Sequence, residues 1–252
     1  MNIAVAMKEI PEPAQVRIRD RKPVFEGAPL TLGPLEKNAL EAGRALKEAA
    51  GGKLVIVSAG PHTFEDTVTE GLAMGADEAY LAQDDRLSGI ESASSAELIA
   101  SLVKKIGDVG LVLFGEGSGD NYSGQVGPRV AQILGMPLAA YATGIELDGS
   151  SVRVTCSLED SFEVVELELP AVVTVMSGIN EPRIPSVMEI LKAGKKPKTT
   201  FTPDELGVKL LVPALVATRS NLAPVSDRKQ VQVKTAEELL GVLRAGGVLG
   251  RD

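Results

Sequence analysis

The chain has 252 residues, 44% hydrophobic but only 3% aromatic, with no tryptophan and a formal net charge of −8. Such an acidic chain does not hold nucleic acid through bulk electrostatics, and the single cysteine, Cys156, excludes an intrachain disulfide. The core must be aliphatic, and no apolar run reaches the length of a membrane span, so no membrane insertion is expected. The opening MNIAVAMKEIPEP lacks the long apolar stretch of a secretion signal, and the expected location is cytoplasmic.

Asn2 to Met7 reads as a first buried strand. Lys8 to Gly33, rich in proline and charge, reads as a long loop or irregular hairpin. From Pro34, apolar residues Leu35, Ala39, Leu40, Ala42 and Leu46 recur at helical spacing, and Gly51-Gly52 ends the helix. KLVIVSAGP is an unbroken apolar strand, with Pro61 at the first turn of the next helix, which ends near Gly75. EAYLAQ is a third strand, Ser94 to Ile106 a helix, and Val109 to Phe114 a fourth strand. Strand and helix thus alternate from the start of the chain, the pattern of a doubly wound α/β fold with a mostly parallel sheet.

After Pro137 the period changes to two. YATGIELDGSSVRVTCSLEDSFEVVELELP alternates apolar and polar residues, with turn signals at Asp148-Gly149 and near Glu159-Asp160, which predicts an antiparallel extension. PAVVTV reads as the last buried strand, and Pro182 to Lys192 as a loop entering a short amphipathic helix. Beyond the basic GKKPK lies a tail with apolar clusters such as KLLVPALV, too apolar to stand alone in water. Its last helix has Thr235 as cap and Glu238 three residues on, the pattern of a capping box.

The most informative stretch is LVLFGEGSGDNYSGQVGPRVAQILGMP. A strand runs into Gly115, Gly117, Gly119, Gly124 and Gly127, and a helix is predicted from near Ser123, with Val126, Val130, Ile133 and Leu134 on one face. Strand, glycine turn and helix N-terminus together make an anion site. Asp120, Ser123 and Gln125 are placed to add contacts. The loop is not a Walker A sequence, and a flexible connection accounts for the pattern equally well. Ser58-Ala59-Gly60 closes another strand and would line the same crevice. His62, the sole histidine, and Cys156, in an alternating strand, form no catalytic arrangement, and no metal cluster is readable.

Residues 169–197, LPAVVTVMSGINEPRIPSVMEILKAGKKP, resemble the signature region of electron-transfer flavoprotein beta subunits. AVAMK, VSAGP, GLAMGADEA and QVGP agree at matching places, and the likeness covers about residues 1–210. It implies an adenine-nucleotide alpha-hydrolase-like α/β domain over residues 1–195 and an extension, 196–252, packing on the alpha subunit of a heterodimer. The alpha subunit of such proteins carries a redox FAD. The dimer passes electrons from dehydrogenases of the acyl-CoA type toward a quinone oxidoreductase. The beta subunit holds AMP or, in the electron-bifurcating class, a second FAD.

Carried over by position, the nucleotide site comprises Ala6, Gly33, Pro34, Leu35, Glu36, Ala59 and the loop Gly115, Glu116, Gly117, Ser118, Gly119, Asp120, Asn121, Tyr122, Ser123, Gly124, Gln125 and Val126. Residues 183–192 match the loop that docks on dehydrogenases, through Arg183, Ile184, Val187, Ile190, Leu191 and Lys192. A core face fits the same apolar residues in part. Val126 and Pro128 lean toward the second FAD. Tyr122, bulky where a small or acidic residue is usual, either stacks on a flavin or fills its channel. An adenylating enzyme would place an SGGxDS-type loop where MKEIPEP stands, and a universal-stress-type ATP-binding module does not explain GINEPR.

Overall fold

The computed structural model describes residues 1–210, 216, 218–225 and 230–249. These form two compact units, one of residues 1–17 and 24–219, the other of residues 18–23 and 220–252.

The first unit is built on a nine-stranded sheet. Its first strand, β1 (Asn2–Ala6), is followed by the predicted irregular hairpin, which contains β2 (Glu9–Pro11), β3 (Arg17–Arg19), β4 (Lys22–Val24) and β5 (Leu30–Leu32), with most of β3 and β4 belonging to the second unit. There β2 pairs antiparallel with β5. Then come α1 (Pro34–Ala50), β6 (Lys53–Gly60), α2 (Glu65–Ala73), β7 (Glu78–Gln83), α3 (Ser92–Ile106), β8 (Val109–Gly115) and α4 (Val126–Leu134). The antiparallel extension is β9 (Leu138–Asp148), β10 (Ser151–Ser157) and β11 (Phe162–Glu168), before β12 (Ala171–Val175), α5 (Val187–Ala193) and β13 (Lys198–Phe201).

The strand order is β11-β10-β9-β12-β8-β1-β6-β7-β13. From β9 to β13 neighbouring strands run parallel, and β10 pairs antiparallel with β9 and β11. Alternate residues of each central strand enter opposite cores. Ile3, Val5, Leu54, Ile56, Leu111, Leu113 and Val173 share one apolar cluster with α1 and α2. Ala4, Ala6, Val57, Val112, Phe114 and Val172 share the other with α3 and α4. Cover on both faces explains why these strands read as unbroken apolar runs. The predicted turn at Asp148-Gly149 joins β9 to β10, with Gly149 in the left-handed region at φ 59°.

Two expectations are corrected. Pro61 precedes a 3-10 turn, His62–Phe64, and α2 starts only at Glu65. Helix α4 starts at Val126 rather than near Ser123, because Gly124 at φ 63° breaks the helical path before it. PAVVTV is the last buried strand, as expected. After it the short β13, in the basic stretch following α5, pairs parallel with β7 at the far edge of the sheet. Its largely exposed side chains carried no apolar signal.

Lys196, just before β13, donates from Nζ to the Leu72 and Ala76 carbonyls at the end of α2, at 2.8 and 2.6 Å. Burial, then the nearby Lys47 and Arg44 charges, hold its pKa below the usual lysine value against the pull of Asp77. Lys196→Met removes both charge-assisted bonds and is expected to cost about 2 kcal/mol. For a chain of this size that is roughly 6 °C in the unfolding midpoint. A thermal scan that finds no shift would show that these carbonyls do not need the lysine.

In the second unit, Arg21 exchanges two hydrogen bonds with the backbone of Ala223. Its helix α6 (Ala236–Ala245) is capped by the Thr235 side chain, as expected. The Glu238 carboxylate, however, accepts from the Lys234 amide, one residue before the cap, so the box is displaced. Leu239, Leu240 and Val242 of this helix are exposed. The apolar run KLLVPALV lies mostly outside the described residues.

Candidate functional site

The chain passes from β1 through α1 to β6 and β7 on one side, then returns through α3 to β8 on the other side of β1. The strand order therefore reverses between β1 and β8, and ligands of open α/β sheets bind outside the carboxyl ends of strands at such a point. Ala6 ends β1 and Gly115 ends β8 there, on adjacent strands. Ala59 lies near the end of β6, the strand on the other side of β1, two residues beyond Val57, the partner of Ala6. The hydroxyl of Ser58 is already spent on the Met7 carbonyl, at 2.9 Å.

The first turn of α1 brings Gly33, Pro34, Leu35 and Glu36 against the glycine loop. A Cβ on Gly115 would lie 2.7 Å from the Leu35 Cβ and 3.2 Å from the Leu35 carbonyl carbon. One on Gly119 would lie 2.7 Å from the Ile10 Cδ1, and one on Gly127 2.8 Å from the Thr174 Cγ2. Close packing therefore fixes Gly115 against the backbone and Cβ of Leu35, and Gly127 against Thr174 and the Phe114 ring, whereas the Ile10 Cδ1 opposite Gly119 is the end of a flexible side chain and can give way. Gly124 is different. It has φ 63°, and only the Glu116 carbonyl oxygen, at 3.4 Å, lies near its missing Cβ. From it the chain enters α4, and the amides of Ser123, Gly124, Gln125 and Val126 donate to no acceptor among the described residues. Free amides at the N-terminus of a nine-residue helix fit a phosphate.

The side chains of the loop divide between holding it and leaving it open. Lys8, one residue beyond the end of AVAM, bonds both carboxylate oxygens of Asp120, at 2.8 and 2.6 Å. Burial works against the charge on Asp120, but bonds from Lys8, Ser118 and the Asn121 amide hold its pKa below the usual range. Tyr122, at φ 46°, lies with its ring against Gly117: a Cβ there would be 3.0 Å from the tyrosine Cδ2. Its amide donates to the Ser118 carbonyl, and the nearby Glu116 carboxylate pushes the phenol pKa up. The Gln125 side-chain oxygen accepts from Arg129, one turn into α4. Lys8 was missed in the sequence. Its position directly after the first strand was the available signal.

Glu36 is the unusual group. It is 4% exposed, and its Oε2 has no hydrogen-bond partner. Burial raises its pKa to about 7; its own amide and Lys8 oppose the rise and Asp120 adds to it. A methyl group on Gly33 would occupy the space its carboxyl fills. The glycine at the cap and the glutamate in the first turn are one packing unit.

The second candidate region, residues 183–192, is held in place by α1. Asn38 donates to the Ser177 and Asn180 carbonyls at 3.2 and 2.9 Å, and Asn180 donates back to the Asn38 carbonyl at 3.0 Å. Arg183 makes a forked pair with the buried Glu41, at 2.5 to 2.9 Å. The motif GINEPR therefore has a structural duty: its Asn and Arg fasten the loop to α1. Arg183 is spent within the chain, a role the sequence did not reveal, and neither Asn38 nor Glu41 had been singled out. Ser186 and Glu189 form a full capping box for α5. Beyond this anchor the apolar side chains face water. Ile184 is 93% exposed and Val187 73%, with Met188, Ile190 and Leu191 also exposed. Only Ala193 of α5 is buried, so the core-face reading fails. Lys192 lines a cleft of about 200 Å³ beside α5 with Arg44, Lys47 and Lys196.

His62 pairs with Asp85 at 3.1 Å on the surface. Cys156 is buried in β10, and burial pushes its thiol pKa up, with a smaller push from Glu163. Among the described residues no group of acidic, His and Cys side chains could hold a metal ion, and no helix is long and apolar enough to cross a membrane.

Residues 24–206 match the family described as the electron transfer flavoprotein domain. The match includes the first turn of α1, the glycine loop and residues 183–192. The chain is 36% identical to an electron transfer flavoprotein subunit beta of Clostridium acetobutylicum over 210 residues, 82% of this chain and 81% of the relative. It is 32% identical to the one of Bacillus subtilis over 253 residues, 97% of this chain and 98% of the relative. It is 35% identical to the caffeyl-CoA reductase-Etf complex subunit CarD of Acetobacterium woodii, over 82% of this chain and 80% of the relative.

Proposed function

The chain belongs to the electron transfer flavoprotein beta-subunit family, and on that footing we propose that it pairs with an alpha subunit and binds an adenine nucleotide at the β1/β8 switch point. The observation that carries the nucleotide site is the run of amides, Ser123 to Val126, that have no acceptor among the described residues, at the start of α4 after β8, beside the point where the strand order reverses. In this reading these amides and the α4 N-terminus hold the phosphate. Ala6, the Gly33–Glu36 turn and Ala59 enclose the nucleoside, and the Lys8–Asp120 pair keeps the loop closed over it. The flavin of the dimer supplies the electron transfer when bound, and this chain positions and shields it.

The exposed apolar residues Ile184, Val187, Ile190 and Leu191 are the docking surface for an acyl-CoA or related dehydrogenase. A relative named as a subunit of a caffeyl-CoA reductase complex supports that partner class. The extension 196–252 packs on the alpha subunit, which would cover Leu239, Leu240 and Val242. Electrons then pass toward a quinone oxidoreductase, in the cytoplasm.

A second FAD in this subunit, with bifurcation, is the finer form of the reading; Val126 and Pro128 favour it. Tyr122, bulky where a small or acidic residue is usual, either stacks on that flavin or fills its channel. Structural AMP is the alternative. Acid extraction of the purified complex followed by chromatography separates them: FAD in excess of the alpha-subunit flavin supports the first, AMP the second. Recovery of neither from an intact complex sinks the nucleotide site.

A further inference from the structure

Glu36 is a buried carboxyl with an unpartnered oxygen, set at the nucleotide crevice. Two charges from other elements reach it: Lys8, from the connection after β1, and Asp120, from the glycine loop. On α1 itself, Lys37 is turned to Glu70 and Glu41 to Arg183. Lys8 is already committed to Asp120 by two short bonds. The neutral carboxyl leaves this clasp intact. An ionised Glu36 has one cation within its field and must compete with Asp120 for it, or remain buried without a partner, which is costly.

We propose that Glu36 and the Lys8–Asp120 clasp form a proton-linked latch on the nucleotide crevice, closed when the Glu36 carboxyl is neutral and loosened when it ionises. The latch rests on the nucleotide reading of the crevice. A bound phosphate places further negative charge near Glu36 and makes its proton harder to remove. Binding above the free-state pKa of about 7 therefore takes up a proton from solvent. By linkage, affinity then falls as pH rises, by up to about tenfold per pH unit.

The test is calorimetric titration of the full-length chain, freed of nucleotide, with AMP between pH 7.5 and 8.5. The AMP phosphate, whose second pKa is about 6, is fully ionised there and adds no proton of its own. Two buffers of different ionisation enthalpy report the protons taken up. The wild-type chain should take up as much as one proton and bind AMP several-fold more weakly at pH 8.5 than at 7.5. Glu36→Gln should take up none and show a flat profile. Asp120→Asn frees Lys8 for Glu36, so Glu36 ionises in both states, and proton uptake should fall; this variant serves if Glu36→Gln does not fold. AMP binding without proton uptake in the wild type, or uptake that survives Glu36→Gln, overturns the latch and leaves the nucleotide site standing. Failure of both AMP and FAD to bind overturns the site and the latch together.

Discussion

Replacing Val187 with Asp is expected to slow electron delivery from the partner dehydrogenase by about tenfold to a hundredfold at sub-saturating concentrations, the 1.4 to 3 kcal/mol typical of a central apolar contact. Val187 is 73% exposed at the start of α5 and supports nothing within the chain. Nucleotide content and unfolding midpoint should therefore not change. The surroundings make the effect large. Ile184, Met188 and Leu191 are also exposed, so the residues form one apolar patch rather than scattered single side chains. The patch is also preorganised. The Asn38–Asn180 exchange, the Glu41–Arg183 fork and the Ser186–Glu189 box hold its base, so docking need not order the loop. Stopped-flow measurement of flavin reduction at several partner concentrations checks the prediction. An unchanged second-order rate would remove residues 183–192 from the docking surface.

Replacing Gly115 with Ala is expected to lower stability by about 2 kcal/mol, the scale of an overpacked core position, and to strip nucleotide from the purified protein. The new Cβ would meet the Leu35 Cβ at 2.7 Å, with the Gly117 carbonyl oxygen at 3.1 Å and the Leu35 carbonyl carbon at 3.2 Å. Two of these three atoms are backbone, and the third sits directly on it, so no side-chain rotation relieves the clash. The end of β8 and the first turn of α1 must separate, and they are two walls of the proposed crevice. Acid-extracted nucleotide per chain and the thermal midpoint are the measurements. Loss of stability with full nucleotide content would show that this approach of strand and helix matters to folding and not to the site.

The layered part of the fold follows from the apolar pattern of the chain. Unbroken runs such as NIAVA and LVIV can be buried only on both faces, and amphipathic stretches between them supply the cover. That logic yields the parallel sheet, and the change to period two after Pro137 yields β9 to β11. Strand-then-glycine composition also marks the loop at 115–126. The edge strand β13 was not legible, because a strand with exposed side chains has no apolar period and is fixed by its ladder with β7.

At the site, composition could not divide the glycines. Gly115 and Gly127 are needed because Leu35 and Thr174 lie opposite, Gly124 because its backbone is left-handed, and Gly119 meets only the movable end of Ile10. Nor could it assign partners. Lys8 and Asp120 stand 112 positions apart and Glu41 and Arg183 142, yet each forms a bonded pair. Charge pairing and desolvation depend on distance in space, which the chain order does not carry. Only the tertiary structure could therefore turn Arg183 inward, leave Val187 outside, and bury one unpartnered carboxyl, Glu36, beside the crevice.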